Sequence, residues 1–289
     1  MNIRHYLKKV YVTLLQLLNS KNNYRFFLKS SFTAIDSQIT AQLATTNVFG
    51  KHIERASIKA PFGRNVVVIA PHQDDEAVGC GGALLLHVAT GRPVYPIFVQ
   101  NGVGDPDSIS DEKQQEIIEI RENEAREAAR IGGFQTPQFL RHARLSLATL
   151  EPVVESLVDS LNRTKPDTIF TPFLLDPDND HTVCNIALAL ALKQTGIKCQ
   201  VMGYEIWSLC IANVGVAIDS VIEGKQAIIS AYKSQLASTD YLNTTIGLNM
   251  FNSRVFSEPD THYVENYFEL PSTEFISIVD NMRQARWPE

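Results

Sequence analysis

The chain has 289 residues, 44% of them apolar and 20% charged, and a net charge of −6. That length supports one large domain with a sizeable core, and an acidic chain without a long basic run excludes an ordinary nucleic-acid-binding surface. No apolar run reaches ~18 residues, so no ordinary transmembrane helix is expected.

Residues 1 to 60 read as a helical extension that carries no recognisable chemistry. Arg4, Lys8 and Lys9 precede the apolar run Val10 to Leu18, which Thr13 and Gln16 interrupt. A helix docked on the main domain is the first reading of residues 1–20; peripheral contact with a membrane surface is the second. No small-residue cleavage site follows, which argues against a signal peptide. The expected location is therefore cytoplasmic, with association at a membrane surface as the variant. Tyr24 to Leu28 is apolar and aromatic and suits packing. Ala60-Pro61-Phe62-Gly63 marks a boundary, which sets the main domain at 61–289.

From Asn65 the chain alternates. A strand at 65–70 leads to a helix at 76–90, a strand at 94–100 and a loop at 101–107. A long helix at 111–131 follows, capped by Ser110 or Asp111 and stopped by Gly132-Gly133. A short strand at 138–140, a helix at 149–163 and a clear strand at 168–172 come next. The loop 173–180 opens a helix at 181–194, and a strand at 200–207 follows. Beyond 210 the alternation weakens; 222–236 reads as helix and 263–270 as a late strand. Strands alternating with helices predict an α/β fold, a Rossmann-like, mostly parallel sheet flanked by helices on both faces. Cys80, Cys184, Cys199 and Cys210 have no CxxC spacing and read as reduced thiols.

Two turns carry the chemistry. Pro71-His72-Gln73-Asp74-Asp75-Glu76 ends the first strand and opens its helix. Asp176-Pro177-Asp178-Asn179-Asp180-His181 does the same after the strand at 168–172. Both lie at the carboxyl ends of parallel strands, where α/β sheets bind ligands. Ionised carboxylates there need partners or a metal. Two imidazoles and a carboxylate suit a catalytic zinc, with iron or manganese as alternatives. Gly79-x-Gly81-Gly82 is not a GxGxxG fingerprint, and three carboxylates precede it where a pyrophosphate would sit; its glycines read as close helix–sheet packing.

PHQDDEAVGCGG resembles the PHPDDE-x-x-GxGG signature of the LmbE/PIG-L-like family of metal-dependent N-deacetylases. Arg121 and Glu124 resemble that family's R-x-x-E helix, Asp180-His181 the end of its H-x-D-H motif, and Tyr232-Lys233-Ser234-Gln235 its late Y-x-S-Q. The resemblance covers roughly residues 64 to 270. It implies zinc on His72, Asp75 and His181, and Asp74 as general base for the metal-activated water. Glu76 would support the loop. Arg121 reads either as a solvated helix charge or as an anchor for a substrate or the loop after Gln100. The implied reaction removes an N-acetyl or other N-acyl group from an N-acetylglucosamine-type amino sugar or sugar conjugate, a small-molecule partner. Oligomeric state is not legible.

Two departures bear on this. Gln73 replaces a Pro, with an expected effect on turn stiffness only. Asp178 stands where H-x-D-H has its first His, so a carboxylate would meet an oxyanion. Asp178 is therefore expected to bind a substrate hydroxyl, and His262 is the candidate proton donor. Alternatives are hydrolysis of another amide or an ester, and a catalytically weakened glycan-binding relative.

Overall fold

The computed structural model describes residues 56–58, 63–254 and 260–286. The helical reading of the first 55 residues, the membrane-contact reading of 1–20 and the Tyr24–Leu28 cluster lie outside the described residues. One compact unit spans Ile53–Val279.

β2 (Val66–Ala70) is buried at all five positions, as a β-branched run must be in a strand covered on both faces. Around it stand β1 (Ala56–Ile58), β3 (Val94–Gln100), β4 (Gln138–His142), β5 (Thr168–Pro172), β6 (Gln200–Tyr204), β7 (Val214–Ala217) and β8 (Val264–Pro271). They form one sheet in the order β1-β7-β8-β6-β5-β2-β3-β4. β8 runs antiparallel to both of its neighbours; every other pair is parallel. Because β1 pairs with β7, the sheet takes in residues on the N-terminal side of the boundary expected at 60.

The helices are α1 (Asp75–Ala89), α2 (Asp111–Gly132), α3 (Leu150–Thr164), α4 (Asn179–Thr195), α5 (Ile222–Ile229), α6 (Lys233–Leu236), α7 (Tyr241–Ser253) and α8 (Ser272–Arg286). The units β2–α1–β3 and β3–α2–β4 step one way along the sheet. The units β4–α3–β5 and β5–α4–β6 step the other way. Right-handed crossovers then put α1 and α2 on one face and α3 and α4 on the other. Consistently, α3 packs on α4, while α5 packs on both α1 and α2. The direction of winding reverses between β2 and β5, which makes a topological switch point at their carboxyl ends.

Local signals explain most boundaries. Ser110 Oγ accepts from the Lys113 amide at the start of α2, and Gly133 ends the helix in the left-handed region at φ 69°. The helix expected over 222–236 is instead two, because the chain turns at Ser230–Tyr232 and buries the Tyr232 ring. The stretch between the expected helix at 222–236 and the expected strand at 263–270 contains α7. The strand expected to reach residue 207 stops at Tyr204. None of the four cysteines forms a disulfide, and all are buried.

The glycines of α1 let it lie against its neighbours. A Cβ on Gly79 would fall 2.2 Å from Cδ2 of Tyr204, and one on Gly82 would fall 2.6 Å from Cγ2 of Ile218. Tyr204 in turn donates its hydroxyl to the Ile69 carbonyl, 3.0 Å away. The close approach of α1 to β6 thus positions the end of β2, from which the first functional turn starts.

Candidate metal centre

The turns after β2 and β5 meet at the switch point. Asp75 opens α1, and its Oδ2 accepts from the His72 amide at 2.8 Å. That bond folds the turn back on itself and holds both side chains on one side. Asp178 caps α4: Oδ1 accepts from the amides of Asp180 at 2.7 Å and His181 at 3.3 Å. A carboxylate at a helix N-terminus satisfies amides that have no intrahelical partner. It also fixes where His181 leaves the backbone.

His72, Asp75 and His181 each offer a ligand atom, all within 4.8 Å of one another. Asp75 Oδ2 lies 3.4 Å from His72 Nδ1 and 3.5 Å from His181 Nε2. His181 is fully buried, and its two ring nitrogens face the carboxylates of Asp176 and Asp75. A buried imidazole beside a buried carboxylate and a second imidazole fits a divalent cation. Its Nδ1 stands 3.1 Å from Asp176 Oδ1. A carboxylate behind a ligating His commonly sets ring orientation. Asp176 is itself held in place, accepting from the Asp178 amide and the Trp207 amide.

The charges are strongly coupled. Burial alone would lower the His72 pKa, but the bonds to Asp180 and Asp75 outweigh it and push the pKa up to about 10. His181 also rises to about 10: burial opposes protonation, and Asp75 and Asp176 override it. Burial would raise Asp75, yet the two imidazoles hold it well below the usual carboxylate range. A cation held there would take over the role of those imidazole protons.

Asp74 lies beside this group with 8% exposure. Burial, then the neighbouring Asp75, pushes its pKa up to about 7. Its backbone sits at φ 137°, a strained conformation for a residue with a Cβ. Such strain persists only where surrounding structure imposes it, here between the end of β2 and the first turn of α1.

His72, Asp74, Asp75, Arg121 and Asp178 line one pocket of about 100 Å³. His262 is not brought to it. Its side chain is 69% exposed and its ring bonds Asp219 at 3.2 Å. Asp219 follows β7, four strands along from β2, or ~19 Å at ordinary strand spacing. The expectation for His262 as proton donor is corrected on that ground. The sequence offered only an unassigned His in an unassigned loop.

Arg121 anchors the loop after β3, donating to the carbonyls of Gly102 at 2.9 Å and Gln73 at 3.4 Å. Gln73 does more than alter stiffness: its Nε2 donates to the Gln100 carbonyl at 2.9 Å. Gln100 in turn donates to Asp180 Oδ2 at 2.7 Å, and Asp180 holds His72 Nε2 at 3.2 Å. Glu76 is buried, accepts from the Tyr232 hydroxyl, and is pushed by burial to a pKa of about 8. Ser234 donates its amide and its hydroxyl to the two oxygens of Glu124, at 2.7 and 2.6 Å. The late Y-x-S-Q segment is thus tied to α1 and α2, and Gln235 reaches the pocket. Asp176 and Asp180 were quoted from sequence only as members of the second turn and its motif, and Gln100 and Trp207 were not singled out. The motif Asp176-Pro177-Asp178-Asn179-Asp180-His181 held the signal for the first two.

The fold and site define an α/β domain with a His-Asp-His cluster at the switch point of its sheet. Residues 67–192 match the family model PIG-L: GlcNAc-PI de-N-acetylase, and this part of the chain is a PIG-L (LmbE-like) family domain. The probable N-acetyl-alpha-D-glucosaminyl L-malate deacetylase 2 of Bacillus anthracis is 27% identical over 138 residues. The match takes in 44% of this chain and about 60% of the length of that relative. Among solved structures, N,N'-diacetylchitobiose deacetylase from Pyrococcus horikoshii aligns with a TM-score of 0.60 and 21% identity, over 73% of this chain and 85% of that one. The 4-carboxy-2-hydroxymuconate hydratase GalB from Pseudomonas putida KT2440 aligns with a TM-score of 0.57 and 20% identity, over 74% and 96%. A deacetylase and a hydratase on one fold leave the chemistry to be argued from the site.

Proposed function

We propose that this protein is a divalent-metal-dependent hydrolase that removes an N-acyl group, in first place acetyl, from an amino-sugar conjugate. The observation that carries this reading is the fully buried His181 imidazole, set between Asp176 and Asp75 and grouped with His72, with Asp74 alongside. The PIG-L domain and the deacetylase names of its relatives support it. Zinc is the first choice by donor set, with iron or manganese next.

His72, Asp75 and His181 would hold the ion, and Asp176 would orient His181. When bound, such an ion supplies Lewis-acid polarisation of an acyl carbonyl and acidifies a water molecule. Asp74 takes a proton from the attacking water as its oxygen bonds to the acyl carbon. The carbon–nitrogen bond then breaks, and Asp74 returns that proton to the leaving nitrogen, giving a carboxylic acid and a free amine, the acid then losing its remaining proton to solvent. With His262 distant and Asp178 engaged as a cap, one residue serves as base and then acid. Arg121 ties the loop at Gly102 to the Gln73 carbonyl, next to Asp74 in the chain.

The test is amine release from N-acetylglucosamine conjugates by metal-loaded protein, with Asp74→Asn alongside and metal content measured in both. We expect Asp74→Asn to keep its metal and lose about 10²-fold or more in rate. Metal bound by both and amine released by neither would overturn the deacetylase reading.

A further inference from the structure

Gln100, the last residue of β3, is buried and touches both functional turns. Its backbone holds the first. The Gln100 amide donates to the Pro71 carbonyl at 2.9 Å, and the Gln100 carbonyl accepts from Gln73 Nε2 at 2.9 Å. Pro71 and Gln73 flank His72 in the chain, so the backbone on either side of His72 is tied to one residue of the next strand. The Gln100 side chain reaches the second turn, where its Nε2 donates to Asp180 Oδ2 at 2.7 Å. That same oxygen stands 3.2 Å from His72 Nε2.

The chemistry of the three groups fixes their roles. A carboxylate only accepts, so the Gln100 amide group and His72 Nε2 both present hydrogens to Asp180. A ligating imidazole is neutral and keeps one proton. With that proton on Nε2, the lone pair of His72 is on Nδ1, which lies 3.4 Å from Asp75 Oδ2. Asp75 Oδ2 is in turn 3.5 Å from His181 Nε2, so Nδ1 is the His72 atom on the side of the other two ligands. Asp180 alone is a loose support, because its side chain is 28% exposed and free to turn toward water. The bond from buried Gln100 removes that freedom.

We infer that Gln100 is a positioning residue for the metal centre: acting through Asp180, it holds the His72 proton on Nε2 and leaves Nδ1 as the ligating nitrogen. One residue of β3 thus sets both the backbone and the ring of a ligand that stands on another strand's turn. The inference rests on the reading above of His72, Asp75 and His181 as a metal site.

The test does not depend on turnover. Competition with a chelator gives the zinc affinity of the full-length protein and of four variants: Gln100→Met, Gln100→Leu, Asp180→Ala and the double variant Gln100→Met with Asp180→Ala. Met keeps the length of Gln without its donor and is expected to weaken zinc binding about tenfold. Leu makes the same deletion with a branched side chain and guards against a variant that fails to fold. If Gln100 acts through Asp180, the double variant binds zinc no more weakly than Asp180→Ala alone. Nitrogen-15 spectra of the histidine-labelled, zinc-loaded protein read the ring itself. Wild type should show the His72 proton on Nε2, slow to exchange with water, and Gln100→Met should make that exchange faster. Unchanged zinc affinity in both Gln100 variants, losses that add in the double variant, a His72 proton on Nδ1, or an exchange rate that Gln100→Met leaves alone would each overturn the role of Gln100. Wild type that binds no zinc would overturn the metal reading and this inference with it. Wild type that binds zinc as tightly as the Gln100 variants do would overturn this inference alone.

Discussion

Lys225 and Glu265 form an ion pair with no solvent exposure on either side chain, Nζ 2.6 Å from Oε1. The pair is inserted against the middle of α1. Lys225 donates to the Val78 carbonyl, and Glu265 accepts from the amides of Gly82 and Ala83. The Tyr267 hydroxyl is a further donor to Glu265. Removing either partner leaves a buried charge uncompensated. Because Glu265 also satisfies three donors besides Lys225, its loss is the more damaging. Lys225→Met is expected to destabilise by about 3 kcal/mol and Glu265→Leu by about 5 kcal/mol. Urea denaturation of both variants checks the order; a Lys225 variant that is the weaker of the two would refute it.

The glycines of α1 are expected to differ sharply. At Gly79 a Cβ would meet the Tyr204 ring at 2.2 Å, and that ring is locked by its bond to Ile69. Gly79→Ala should destabilise by about 3 kcal/mol through overpacking. At Gly81 the Cβ would meet only the Cδ1 end of Ile228 at 2.7 Å, a side chain that can turn aside. The helix preference of Ala, about 1 kcal/mol, then offsets the strain. Gly81→Ala should fall within about 1 kcal/mol of the wild type. Thermal melts of the two variants, compared at one pH, decide it.

His87 makes stability depend on pH. It is fully buried at the end of α1, edge-on to Phe170, with no hydrogen bond at either nitrogen. Burial first, then Arg92, lowers its pKa to about 4, and Asp167 opposes them weakly. The folded pKa is therefore below the unfolded value of about 6.5. Between those values the unfolded chain binds the extra proton, so stability falls as pH drops from 6.5 and the loss is complete near pH 4. The full effect is about 3 kcal/mol. His87→Leu should lack it. Chemical denaturation of wild type and variant at pH 7 and pH 4 should show the gap between them shifting in favour of the variant; a constant gap counts against the assignment.

Replacing Asp178 tests its role as a cap. Asp178→Asn keeps an acceptor for the amides of Asp180 and His181 and should preserve metal content. Asp178→Ala loses both bonds, about 1 kcal/mol of stability, and about tenfold in metal affinity as His181 shifts. Competition with a chelator measures the affinities. In the same set, His262→Ala should leave amine release within about twofold of wild type, since its ring contacts Asp219 at the surface.

What the sequence made legible follows from where the information is local. Val66 to Ala70 and Thr168 to Pro172 are short runs whose composition alone requires burial, and both strands were placed within a residue. The PIG-L resemblance and the α/β fold are upheld. The family resemblance implied His72, Asp75 and His181 as a ligand set, and the structure places a ligand atom of each within 4.8 Å of the others. What was not legible depends on long-range pairing. β7 is four residues with a central glycine and acquires strand character only between β1 and β8. α7 has polar Asn and Thr around most of its circumference, so no apolar stripe betrays it. His262 looked available because nothing local shows that Asp219, 43 residues earlier, would hold it. Gln73 looked like a simple loss of proline because its partner, the Gln100 carbonyl, belongs to the next strand.

The place of β8 imposes an order on assembly. Among the described residues, β7 touches the sheet only through β8, and β1 touches it only through β7. During synthesis, β1, the first of the described strands, must therefore wait for β8, the last of them. A chain halted before Val264 can pair β2 through β6, yet it has no seat for β1 or β7. Pairing at that sequence separation is slow to form, so the β7–β8 edge is expected to close after the half that carries the metal ligands. Pulsed hydrogen exchange during refolding should find Val66–Ala70 protected before Val214–Ala217, and the reverse order would contradict this sequence of events.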